Sequence, residues 1–165
     1  MASIKTAEDA FEHELADIYD AEHRFLEGQK EMTAQAEDEK LRTMIETHMK
    51  ETEEQIKNLD QVFEELGSKP EKQTCKAAQG LVAEGASVMK EAEAPAKDSL
   101  IAGAVSRVEH YEIAAYTGLV EAARTMGQSQ VAKLLEANLK QEERTAQLIE
   151  KESPRLIKQM IKAGA

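Results

Sequence analysis

Two pairs of glutamates are mirrored about the two clearest breaks in this chain's helical pattern. Glu22 and Glu51 stand 29 residues apart, centred near position 36.5. Glu112 and Glu142 stand 30 apart, centred on Gly127. If each half folds back as a helical hairpin, the two members of a pair reach one height and face the same way. Four acids meeting inside a bundle repel one another unless a cation lies between them. The spacing therefore points to a metal site rather than to a merely acidic surface.

The rest of the chain favours that layout. At 165 residues it has the length of one domain, 1–165, with room for a sizeable core. It has only three prolines and no tryptophan, and it is rich in Glu, Ala, Lys, Leu and Gln, all good helix formers. The net charge of −11 argues against nucleic acid as a partner, since phosphate binding needs clustered Lys and Arg. No signal peptide is visible and no apolar run approaches the length of a membrane span, so a cytoplasmic protein with no membrane partner is expected. Cys75 is the only cysteine, which excludes an intrachain disulfide; it reads as a packed or surface thiol.

Apolar periodicity predicts four long helices, at about 6–35, 39–66, 98–126 and 129–152. Thr6 with Asp9 resembles a capping box, Asp38 is a plausible N-cap, and Gly67 and Gly127 are natural terminators. The first stripe reads Phe11, Leu15, Ile18, Glu22, Phe25, Gln29, Met32. The second reads Leu41, Ile45, His48, Thr52, Gln55, Leu59, Val62, with Glu51 bordering its polar middle. The third carries Val105, Val108, Glu112 and Leu119, and the fourth Val131, Leu135, Asn138, Glu142, Thr145 and Ile149. The crossover, 67–97, holds a short amphipathic helix at about 73–91, with Ala77, Leu81, Val88 and Met89 partly lining one side. A connection this long can run from one end of a bundle to the other. Pro154 ends or kinks the fourth helix, and Leu156 to Ile161 form a last short helix. A shift of 90 residues sets Glu22 on Glu112, Ile45 on Leu135 and His48 on Asn138, a weak internal repeat.

A single acid on such a chain means little, because 32 of its residues are Asp or Glu and most are solvated. Taken together the acids are different. Each lies at or beside an apolar stripe at mid-height, and no Lys or Arg shares that height on the inner stripes; Arg107 is nearest and points elsewhere. An unpaired buried carboxylate is too costly to leave alone. Glu22, Glu51, Glu112 and Glu142 are thus candidate ligands. Glu109, one turn before Glu112, either ligates with it or is an exposed neighbour. His48 is a ligand, a support for one, or a hydrogen-bonded core histidine. Thr52, Gln55 and Thr145 are better placed to hold carboxylates by hydrogen bonds. Two divalent cations would offset four carboxylates, and oxygen-rich sites with an imidazole suit iron or manganese and admit zinc.

Segments ELADIYDAE at 14–22, HMKETEEQI at 48–56, VEHYEIAAY at 108–116 and KLLEANLKQEERT at 133–145 resemble the YciF-like (DUF892) stress proteins of the ferritin-like superfamily. CKAAQGLVAEG at 75–85 resembles that family's connecting segment. The resemblance implies an all-α, ferritin-like four-helix bundle of two antiparallel hairpins. It also implies a dinuclear metal centre, a cytoplasmic protein that often forms a homodimer, and a role in stress. By position it carries over to Glu22, His48, Glu51, Glu109, Glu112 and Glu142. The wider superfamily uses Glu-x-x-His on two helices. Here helix 2 shows the reverse order, His48 then Glu51, and Thr145 stands where a histidine is expected. Oxidation of Fe²⁺ or removal of peroxide, with O₂ or peroxide as co-substrate, is one expected function. The alternative is a non-enzymatic helical interaction protein with a relic or structural site.

Overall fold

The computed structural model describes residues 4–70 and 73–163; residues 1–3, 71–72 and 164–165, which fall in the expected domain span and crossover, lie outside the described residues. Among the described residues five helices follow in order: α1 (Ala7–Gln35), α2 (Glu39–Glu65), α3 (Lys76–Glu91), α4 (Ala96–Thr125) and α5 (Ser129–Ala163). The caps explain the boundaries. Thr6 and Asp9 form a reciprocal capping box, and Asp38 accepts from the Leu41 amide. Gly67 and Gly127 take positive φ, 67° and 75°, just past the ends of α2 and α4, a conformation that other residues adopt only under strain.

The four long helices pack α1 on α2, α2 on α5, α5 on α4 and α4 on α1. Side-chain pairs fix the directions. Tyr19 meets Asp60 and Gln29 meets Thr52, so α1 and α2 are antiparallel. Asn58 meets Asn138 and His48 meets Thr145, so α2 and α5 are antiparallel as well. It follows that α2 and α4 run the same way, and the chain between them must travel the length of the bundle. The crossover does this with α3. The Cys75 amide donates to Asp20, Val82 packs on Gly28, and Gly85 faces Met32. At the far end Asp98 accepts from the Glu37 and Asp38 amides and ties the start of α4 to the α1–α2 turn.

Apolar residues fill the two ends of the bundle. One cluster centres on Leu15, Phe25, Leu59, Tyr116 and Leu135, the other on Met32, Leu41, Ile45, Ile101 and Ile149. Burying a Leu- or Phe-sized side chain contributes about 1.5–3 kcal/mol, so these ends hold the fold while the middle stays polar.

Three sequence expectations are corrected. Pro154 neither ends nor visibly divides the last helix; α5 is continuous to Ala163. Proline removes one helical donor, but the apolar line continues through Ile149 to buried Leu156, and Arg155 anchors that turn on Asp38 and Glu152. On α3, Leu81 and Met89 face the bundle as expected, but Ala77 is exposed and the buried small residues are Ala78 and Gly85, since α3 begins at Lys76 with Cys75 as its N-cap. Finally, α4 starts at Ala96, two residues early, since Asp98 is engaged with the α1–α2 turn rather than capping its own helix.

Candidate metal centre

Every residue proposed from the acid-interrupted stripes lies at mid-bundle, and nearly all are enclosed. Glu22, Glu109 and Glu142 have no exposed surface, Glu112 has 1% and His48 2%. Glu109 is thus an inward partner of Glu112 and not an exposed neighbour. Ligand atoms of His48, Glu109, Glu112 and Glu142 all lie within 4.8 Å of one another. His48 Nε2 is 3.1 Å from Glu109 Oε1 and 3.6 Å from Glu142 Oε2. Glu22 joins from α1 through the Tyr116 hydroxyl, which donates to its Oε1.

Glu51 stands apart from that group. Its Oε2 lies 3.6 Å from His48 Nδ1, and Thr145 Oγ1 donates to it at 3.4 Å. Its other oxygen is held by Arg144, whose side chain is 59% exposed. Arg144 is the cation that the sequence reading lacks at this height. It stands on the outer face of α5 and reaches the rim through its own length, which helical periodicity does not register.

The supporting polar residues are in place. Gln55 Nε2 donates to Glu142 Oε1, Thr145 Oγ1 lies 3.3 Å from His48 Nδ1, and Thr52 pairs with Gln29 at 3.1 Å. Asn138, the repeat partner of His48, is no ligand. It donates to the Tyr116 hydroxyl at 3.0 Å and to the Gln55 carbonyl at 3.2 Å, fixing two groups that touch the acids. The 90-residue repeat carries a further signal. It sets Thr52 on Glu142 and Gln55 on Thr145, so the two places for a Glu-x-x-His hold Thr52-x-x-Gln55 and Glu142-x-x-Thr145.

The electrostatics are those of charge gathered without compensation. Burial, with Glu142, Glu22 and Glu109 close by, pushes the Glu112 carboxyl well above the ordinary range. Burial likewise raises Glu142 against the pull of His48, and raises Glu22 to about 7 although Tyr116 opposes it. For His48 burial disfavours the charged ring, but Glu109, then Glu142 and Glu22, outweigh it and lift the ring to about 9.

These residues fit a cation. Among the described residues Glu22 Oε2, both oxygens of Glu109, Glu112 Oε2, Glu142 Oε2 and His48 Nε2 are buried without a well-directed hydrogen bond, although His48 Nε2 and Glu109 Oε1 face each other at 3.1 Å. Buried polar atoms are nearly always partnered, so six such atoms converging at mid-bundle need an external one. Carboxylate oxygens with one imidazole form a donor set for a divalent ion.

Fold and site together define a ferritin-like helical bundle with a buried carboxylate–histidine cluster. The chain belongs to the family described as Domain of unknown function (DUF892), whose model matches residues 6–162. It is 36% identical to Protein YciF of Escherichia coli K12 over 145 residues, covering 87% of each chain. The crystal structure of the E. coli stress protein YciF superposes with a TM-score of 0.90 at 32% identity, covering 94% of this chain and 99% of that one. YcfI of Rhodopseudomonas palustris, for which a structural role has been suggested, matches with a TM-score of 0.87 at 36% identity, covering 90% and 95%. Among the described residues no helix is long and apolar enough to cross a membrane.

Proposed function

We propose that this protein is a stress-response metalloprotein whose buried cluster holds two divalent cations, iron or manganese, and that it oxidises Fe²⁺ or removes peroxide. The observation that carries the reading is the convergence of unpartnered carboxylate oxygens and His48 Nε2 in a closed, apolar-ended bundle. The stress role rests on similarity to YciF of E. coli, which is described as a stress protein.

In this reading Glu22, Glu109, Glu112, Glu142 and His48 hold the cations, and Glu51 approaches from the rim. Bound there, such ions would supply reversible one-electron redox chemistry and Lewis acidity toward O₂ or peroxide. Around them Tyr116 orients Glu22, Gln55 orients Glu142, and Thr145 positions the Nδ1 side of His48. Such outer contacts fix ligand direction and basicity. The protonated carboxyls and imidazole give up protons as cations bind, so affinity rises with pH. The apolar ends keep bulk water from the acids. A cytoplasmic homodimer belongs to the same reading, and the exposed Ile157 and Ile161 late in α5 support a contact there.

One observation favours a second reading. Thr52, Gln55 and Thr145 occupy places where the wider superfamily puts ligands, and Thr52 is already satisfied by Gln29. A non-enzymatic stress protein with a structural or relic site accounts for that reduced donor set. Metal analysis of protein purified without chelator tests the first reading. Stoichiometric iron or manganese, lost in Glu22→Ala/Glu112→Ala, is expected; sub-stoichiometric metal unchanged by the double substitution overturns it.

A further inference from the structure

The cluster is not enclosed equally on all sides. Toward α3, Gln29, Val82 and Glu109 border a space of about 10 Å³, room for one water at most. On the opposite side, between α2 and α5, a cleft of about 120 Å³ reaches His48. Thr43, Met44, Thr47 and Leu148 form its walls, and Leu148 is 45% exposed at its edge. Arg144 and Glu51, joined as an ion pair, line the same cleft as His48.

Glu51 differs from the other candidate acids in two ways. It retains some exposure and it is held by an exposed arginine; like Glu22, it lies outside the group of mutually close ligand atoms. It is nevertheless adjacent to that group, 3.6 Å from the His48 ring and hydrogen-bonded to Thr145.

We propose that the α2–α5 cleft is the route by which a divalent cation reaches the cluster, and that the Arg144–Glu51 pair is its latch. The inference rests on the cluster being a metal centre. Closed, the pair ties up Glu51 and sets a positive charge on the wall of the cleft that an incoming cation must pass. Because Arg144 is largely in water, the pair is weakly held and opens readily. Once open, Glu51 is a free carboxylate at the mouth, able to accept the cation and turn it past Thr145 toward His48. Arg144 is then a positioning residue for Glu51 and a determinant of loading rate, not a ligand.

Two exposed substitutions separate this route from others. Arg144→Gln removes the latch and its charge. At about 6 Å in water, one positive charge slows approach of a divalent ion about tenfold, so loading should quicken by about that factor at low salt. The gain should shrink as salt is raised. Thr47→Trp puts bulk in the cleft without touching an acid and should slow loading about tenfold. The measurement is stopped-flow binding of Co²⁺ to full-length protein freed of metal by chelation, followed with a fluorescent indicator of free Co²⁺. Thermal melting confirms that both variants fold. Faster loading by Arg144→Gln and slower loading by Thr47→Trp, at unchanged stoichiometry, supports the latch. Wild-type rates in both variants, or slower loading by Arg144→Gln, overturn it and leave the metal centre standing. No Co²⁺ binding by the wild type overturns both.

Discussion

His48 on α2 reaches across the bundle's diagonal to Glu109 on α4, its Nε2 3.1 Å from the carboxylate. It is one of the contacts that join the two hairpins at the centre. It also makes the centre's protonation part of the fold's stability. The His48 ring is raised to about 9 and Glu22 to about 7, with Glu112 and Glu142 also raised. All four groups bind protons more tightly folded than unfolded. The Glu22 contribution is full below the unfolded value of 4.5 and is lost as pH rises through about 7. The histidine contribution is full below 6.5 and is lost as pH passes 9. Protein stripped by chelation should therefore melt at falling temperature from pH 5 to pH 9 (thermal scans by circular dichroism). Saturating Mn²⁺ should remove or reverse that slope, because binding to the native state raises its stability. A flat profile without metal would contradict this account of the cluster.

Neutralising one acid should separate stability from binding. Glu112→Gln keeps the shape and relieves repulsion from Glu142, Glu22 and Glu109. Without metal the variant should gain on wild type as pH rises, by about 1–2 kcal/mol in urea unfolding at pH 9, because it lacks the carboxyl that wild type is pressed to ionise there. Its Mn²⁺ affinity should fall more than tenfold. A variant that loses stability without metal would mean that the carboxylate is internally satisfied.

Tyr116 holds Glu22 and in turn accepts from Asn138. Tyr116→Phe leaves both partners buried without that hydroxyl. The expected loss is about 1–3 kcal/mol, the cost of an unmet buried polar group, with weaker metal binding besides. Equilibrium unfolding and Mn²⁺ titration of the same sample measure the two effects.

At the far end Arg155 pairs with Asp38 at 2.6 and 2.8 Å and holds its carboxyl down to about 2. Arg155→Ala should cost about 1 kcal/mol near neutral pH, within the range of a partly exposed ion pair. Because the Asp38 carboxyl is depressed, its contribution is present above the unfolded value of 3.8 and is lost as pH falls through 2. The difference between variant and wild type should accordingly close in acid, which urea midpoints at pH 7 and pH 2 would show.

What was legible in the sequence is what periodicity carries. Four apolar lines interrupted at one height yield the four long helices, the crossover and the polar middle, and Glu22, His48, Glu109, Glu112 and Glu142 follow from them. Pro154 misled because a local helix-breaking rule was set against tertiary anchoring, and buried Leu156 with the Arg155 clamp prevailed. Arg144 was missed because a long side chain on an outward position can reach inward, which face assignment alone does not capture. Thr52 and Gln55 were legible as supports. Their place as counterparts of Glu142 and Thr145 emerges only when the repeat is extended to the neighbouring positions.

The claim that the buried acids form a cation centre is tested most directly by an anaerobic Fe²⁺ titration of chelator-treated protein. It is run beside Glu22→Ala/Glu112→Ala and followed by exposure to O₂ and to peroxide. The account predicts saturation at about two ions per chain, as a dinuclear carboxylate site requires, and near-complete loss in the double variant. Failure of the wild type to bind Fe²⁺, or equal binding by the double variant, would contradict it.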